Sequence, residues 1–160
     1  MLRIRPAIAN DAALLLAMIR ELAEFERVPE KVKIGVEDLV RDGFGPNPRF
    51  HALIAEWNDQ SAGYAVFYDY YSTYTGPAMY LEDVFVREAF RGRGIGTALM
   101  ATIAKAAVDE NRPGIHWHVL DWNEKAIGMY KALGAEFCDW WRPVLLSGDA
   151  LARLAEKAHE

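Results

Sequence analysis

The sequence predicts a mixed α/β fold with a largely antiparallel central sheet flanked by helices, built as one domain over residues 1–160. Three observations carry this prediction. Strand-like runs and helix-like apolar spacing alternate along the chain. No period of about 20 to 50 residues recurs, which removes solenoids and repeat arrays. A glycine-rich loop stands between a long apolar strand and a helix.

The length of 160 residues suits one compact unit, since domains cluster at about 100 to 200 residues. At 52% hydrophobic and 26% charged, the chain can fill a core, and disordered, collagen-like and coiled-coil classes drop out. No stretch approaches the ~18 apolar residues of a bilayer span, and residues 1–6 lack the apolar run of a signal peptide. A cytoplasmic protein without a membrane partner is expected. One cysteine, Cys138, and four histidines make no spaced cluster, so no metal is expected. A net charge of -5 argues against a nucleic-acid partner and suits a cationic one.

The elements follow in order. Leu2 to Arg5 alternates apolar and basic residues before Pro6, as a short strand does. Asn10 or Asp11 can cap a helix carrying Leu14, Leu15, Met18, Ile19 and Leu22 at helical spacing. A second helical stretch over 36–42 stops in the turn-rich run 43–48. Residues 50–57 and 63–71 read as antiparallel strands joined through 58–61. Ala78 to Val86 is a long strand holding two adjacent acids, Glu82 and Asp83, and helical spacing returns over 97–111. A strand is predicted over 115–120, a short helix over 124–133 ending at Gly134, and a last strand region over 136–146.

The loop Arg91-Gly92-Arg93-Gly94-Ile95-Gly96-Thr97 is the most informative segment. Glycines let a backbone approach a ligand closely, and free amides at a helix start attract anions, with Arg91 and Arg93 as cationic donors. Neither the dinucleotide fingerprint nor the P-loop pattern fits. The loop is therefore either a phosphate cradle of another kind or a tight turn that lets the helix pack on its strand.

R-G-R-G-I-G, residues 91–96, resembles the R/Q-x-x-G-x-G/A signature of the GNAT N-acetyltransferase superfamily. Y-L-E-D-V-F-V at 80–86 and W-N-E-K-A-I-G-M-Y-K-A-L-G-A at 122–135 stand in the right order around it. With F-E-R-V at 25–28 and E-D-L-V-R-D-G-F-G at 37–45, the chain is similar to the spermidine/spermine, diamine-type branch over nearly its whole length. The resemblance implies the GNAT fold, with a V-shaped splay between two strands. It also implies acetyl-CoA as cosubstrate, a small cationic amine as acceptor and a homodimer.

It implies site residues as well. Acetyl-CoA would lie on the backbone of Val84, Phe85 and Val86 and on the loop of Arg91, Gly92, Arg93, Gly94, Ile95, Gly96 and Thr97, with Asn123, Lys125 and Ala126 bordering it. Asn123 is also a natural helix cap. Tyr130 would protonate the departing thiolate, a role suited to a phenol that stays protonated at neutral pH. Without the flanking motifs, Tyr130 reads as a core aromatic.

An alkylammonium must lose a proton before it can attack, and Glu82 and Asp83 are the candidates to take it. Neighbours on a strand point to opposite faces, so only a bulge would put both in one cleft. The branch resemblance selects Glu82, relaying through water. The other reading has Glu82 only orienting a cation or pairing with an arginine.

His116, Trp117 and His118 border the substrate in the resembling branch, although strand packing explains them equally. Phe25 and Glu26 match a polyamine-contacting pair. Around Asp139-Trp140-Trp141 the chain is shorter and less acidic than that branch, so a short diamine, a lysine-like amino acid or thialysine suits it as well as spermidine. A protein N-terminal or lysine acetyltransferase, and a non-catalytic acyl-CoA-binding module, are the alternatives.

Overall fold

The computed structural model describes residues 1–158. Among the described residues five strands and five α-helices run in the order β1 (Leu2–Pro6), α1 (Ala12–Phe25), α2 (Val36–Phe44), β2 (His51–Trp57), β3 (Gln60–Ser72), β4 (Gly76–Val86), α3 (Ile95–Asp109), β5 (Ile115–His116), α4 (Glu124–Ala132) and α5 (Gly148–Ala155). The strands lie side by side in chain order. The first four are antiparallel, and β5 joins β4 in parallel through the α3 crossover. This is the mixed, largely antiparallel α/β sheet that the sequence predicts.

Two compact units make up the chain, residues 1–120 and the residues from Asp121 onward. In the first, Leu15, Leu16 and Met18 of α1 and Leu39 of α2 pack on Ala52, Ile54, Tyr64, Val66 and Phe85 of the sheet. The alternate sheet positions Leu53, Ala55, Ala65, Met79 and Leu81 are buried too, as are Ile95, Leu99 and Ile103 of α3. The period of two along the strands thus gives the sheet two covered faces.

Local chemistry sets the joints. Asn58 and Asp59 take φ of 49° and 62°, the left-handed pair that matches a two-residue hairpin turn to strand twist. The β2–β3 connection is therefore two residues and not the four of 58–61. Asp11 does not cap α1 forwards. It reaches back to accept from the Ile8 amide at 2.8 Å and from the two terminal guanidinium nitrogens of Arg5 at 2.7 and 2.9 Å.

Two predicted strands differ. The one over 115–120 is a strand only at Ile115–His116, because β5 pairs with β4 at Met79 and Tyr80 and then leaves it, while β4 runs on to Val86. That divergence is the predicted splay, and it leaves the far edge of β4 unpaired by β5 from Leu81 on. No strand forms over 136–146, since a strand needs a neighbour for its backbone groups and these residues pair with none among the described residues. Past this run α5 forms over Gly148–Ala155, where no element is predicted, although Leu151 and Leu154 after Ser147 stand at helical spacing.

Candidate active site

The sequence Leu81-Glu82-Asp83-Val84 does not sit as a regular strand. In the β3–β4 ladder Val66 faces Asp83 and Phe67 faces Leu81, so Glu82 is an extra residue, a β-bulge. The consequence is chemical. Both acids meet side chains of a single β3 face: the Tyr64 hydroxyl donates to Asp83 Oδ2 at 2.9 Å, and the Tyr68 hydroxyl donates to Glu82 Oε2 at 3.1 Å.

Their surroundings differ. Glu82 is exposed, whereas Asp83 is half-buried and its tyrosine, Tyr64, is fully buried. Burial, the charge of Glu82 and that of Glu26 push the Asp83 carboxyl up to about 6, although the Tyr64 bond pulls it down. Burial also raises Glu26, with Lys31 opposing. Burial and the Asp83 carboxylate raise the Tyr64 phenol, which stays a donor at any ordinary pH.

Beyond Glu82 the same face is aromatic. Tyr68 stacks on Tyr80 at 5.2 Å between centroids, Tyr80 shares a 2.7 Å hydrogen bond with His118 Nδ1, and Tyr70 meets His116 at 4.9 Å. Glu82, Asp83, His116 and His118 are thus brought to one surface. Trp117, between the histidines, is half-buried. The sequence reading leaves out Tyr64 and Tyr80; period-two counting from Asp83 would find them only with the bulge known.

Val84, Phe85 and Val86 follow the bulge and lead into the glycine loop. Arg87 braces this strand end, with its guanidinium on Glu21 of α1 at 2.7 Å and on the Ser61 hydroxyl at 2.6 Å. In the loop, Gly92 and Gly94 take φ of 76° and 74°, where a side chain is strained, and the space a Cβ would enter is open. The first α3 bond runs from the Ala98 amide to the Gly94 carbonyl at 2.9 Å. The amides of Ile95, Gly96 and Thr97 therefore stand ahead of the helix ladder, where an anion is favoured. An open, glycine-lined turn with these amides fits a diphosphate.

Both arginines also hold the loop itself. Arg91 Nε donates to the Val86 carbonyl at 3.0 Å and its guanidinium lies 5.1 Å from the Phe25 ring. Arg93 lies 5.1 Å from the Trp57 ring and 5.9 Å from the Phe90 ring. Arg91 thus connects the end of α1, where Phe25 and Glu26 stand, to the last residue of β4.

In the second unit Asn123 caps α4, its side chain accepting from the Ala126 amide at 3.3 Å. Lys125 is exposed in the first turn, and Tyr130 is buried one turn further on. Among the described residues no group of three or more His, Cys, Asp or Glu is arranged to hold a metal. No described helix is long and apolar enough to cross a membrane.

Residues 15–135 match the family described as acetyltransferase (GNAT). The chain is 41% identical over 165 residues to a thialysine N-epsilon-acetyltransferase of Sus scrofa, covering 96% of this chain and 97% of that one. It is 42% identical over 164 residues to the Mus musculus protein of the same name, covering 96% of each. It is 38% identical to a Homo sapiens spermidine/spermine N(1)-acetyltransferase-like protein, over 83% of this chain and 20% of that one. In fold it is similar to an integron cassette protein from the mobile metagenome of V. cholerae, with a TM-score of 0.80, 24% identity and 98% of each chain covered.

Proposed function

This chain belongs to the GNAT acetyltransferase family, and from that premise we propose that it moves an acetyl group from acetyl-CoA to a primary amine of a small cationic substrate, in a ternary complex. The observation that carries the acceptor class is the β4 bulge, which gathers Glu82 and Asp83 on one face beside an aromatic surface. Two carboxylates in such a setting attract an ammonium. The relatives named for thialysine and spermidine/spermine support the same class, and thialysine or a similar short lysine-like amine is the acceptor of choice.

Acetyl-CoA supplies the activated acyl group as a thioester. Gly92, Gly94 and the amides of Ile95, Gly96 and Thr97 would hold its diphosphate, and the backbone of Val84 to Val86 its acyl end. Preorganised amides aimed at a developing carbonyl charge contribute about 3 to 4 kcal/mol each. Alternate β4 backbone groups past Tyr80 point to the edge that β5 has left, which supports that role.

Glu82 meets the ammonium and passes one of its protons on. Tyr130 gives a proton to the thiolate. Phe25, Glu26, His116, Trp117 and His118 border the acceptor. Residues 1–160 act as one acetyltransferase domain, in the cytoplasm and as a homodimer. Trp140, Trp141, Val144 and Leu145, all exposed, offer apolar surface for that pairing.

Thiol release from acetyl-CoA, measured over thialysine, lysine, putrescine, spermidine and a lysine peptide, tests this reading. Turnover on a free amine is expected, falling ~10²-fold or more in Tyr130→Phe and Glu82→Gln. Turnover on the peptide alone, or turnover that both variants retain, would refute it.

A further inference from the structure

A second carboxylate, Asp83, stands behind Glu82, with no task in the reaction beyond helping to attract the ammonium. Asp83 lies on the same face only because the bulge turns it there, and its Oδ2 takes the hydroxyl of Tyr64, a core residue with no exposed surface. A phenol is uncommon at such a position unless its hydroxyl has a partner. Phenylalanine would fill the same space, so the hydroxyl serves the carboxylate.

We propose that the proton leaving the amine comes to rest on Asp83, with Glu82 as the exposed group that meets the ammonium, and that Tyr64 is the positioning residue that keeps Asp83 able to accept it. This rests on the acetyltransferase reading above and adds where the proton goes. One N–H bond of the ammonium breaks and an O–H bond forms on the Asp83 carboxylate, while the nitrogen keeps the electron pair with which it attacks. A second ammonium proton leaves with the thiol and the third stays on the amide. Asp83 then gives its proton to solvent by way of Glu82, so one proton is released per turnover.

The surroundings fit an acceptor that works near neutrality. Two other acids act on Asp83 by charge: Glu82, beside it on β4, and Glu26, just past the end of α1 and itself partly offset by Lys31. Burial, helped by those two charges, favours the neutral Asp83 carboxyl, and the Tyr64 hydroxyl, donating from β3, favours the anion. The balance leaves Asp83 near 6, charged before the amine arrives and basic enough to take its proton. Glu82, open to water, suits the relay.

The test reads the carboxyl and the reaction separately. Carbon-detected NMR titration of Asp83 in wild type and Tyr64→Phe should show it near 6 and then about one pH unit higher, the effect of a lost hydrogen bond to the anion. The acidic limb of kcat/KM for thialysine, at saturating acetyl-CoA, should move up with it, while KM for acetyl-CoA stays put. Asp83→Asn should lose ~10²-fold in kcat. An Asp83 that titrates near 4 in the wild type, or a limb that Tyr64→Phe leaves unmoved, overturns the proposal while the acetyltransferase reading survives. No turnover on any amine removes that reading and this role with it.

Discussion

Asp83→Asn is expected to stabilise the protein at pH 8 even as it removes activity. Burial lifts this carboxyl from 3.8 to about 6, so the folded chain binds its proton more tightly than the unfolded chain does. The sign follows directly. Asp83 contributes fully below about 3.8, its contribution falls as pH rises through 6, and above that the loss is complete. About two pH units at 1.36 kcal/mol each set a ceiling of about 3 kcal/mol, roughly half of it lost between pH 5 and pH 8. Water reaching the half-buried carboxylate reduces the whole to roughly 1 to 2 kcal/mol. Asparagine keeps the shape, accepts the Tyr64 hydroxyl and carries no charge. Urea unfolding of both proteins at pH 5 and pH 8 isolates Asp83 together with its coupling to Glu82 and Glu26, since titrations remote from it cancel in the difference. The variant's advantage should be larger at pH 8, by about 0.5 to 1 kcal/mol. An equal difference at the two pH values, or a variant less stable than wild type at pH 8, would refute the burial argument.

Other substitutions probe the frame around the site. Gly63→Ala would put a methyl 2.3 Å from the Phe85 carbonyl, a backbone atom that cannot step aside. A loss of about 1 to 3 kcal/mol in thermal or urea unfolding is expected, with a raised KM for acetyl-CoA because residues 84–86 shift. Arg91→Lys keeps the charge but loses the Nε bond to Val86 and the planar contact with Phe25. Calorimetry should show weakened acetyl-CoA binding that lysine fails to rescue. Asp11, held below the usual carboxylate range chiefly by its bonds to Arg5, contributes stability above about pH 4 that disappears as pH falls through its lowered value. Asp11→Asn should cost about 2 kcal/mol at pH 7 and flatten the acid-side loss seen by circular dichroism.

Where a segment carries its own reason to fold, the sequence shows it. The apolar spacing of α1, the glycine loop ahead of α3 and the Asn123 cap of α4 are local, and each stands within a few residues of its predicted place. Where the outcome depends on a neighbour, local pattern fails. Residues 136–146 are aromatic and aliphatic enough to read as a strand, yet a strand exists only in a pair. The α5 helix lies past that run, and its two leucines are a local but weak helical signal.

The acid pair is the instructive case, because the residues are plain in the sequence and their relation is not. Period-two alternation sends Glu82 and Asp83 to opposite faces, one into the core and one to water. Either assignment makes poor chemistry, since a lone buried carboxylate is costly and a lone exposed one titrates as in solution. One unpaired residue in the β3–β4 register changes this by giving both acids tyrosine donors on the same strand face, one partner buried and the other open. Two like groups are thereby split into unlike ones, which is what a proton relay requires. A bulge is set by the register of two strands distant in sequence, and no residue of 80–86 announces it. The motif therefore names the acids, and the sheet decides what each of them does.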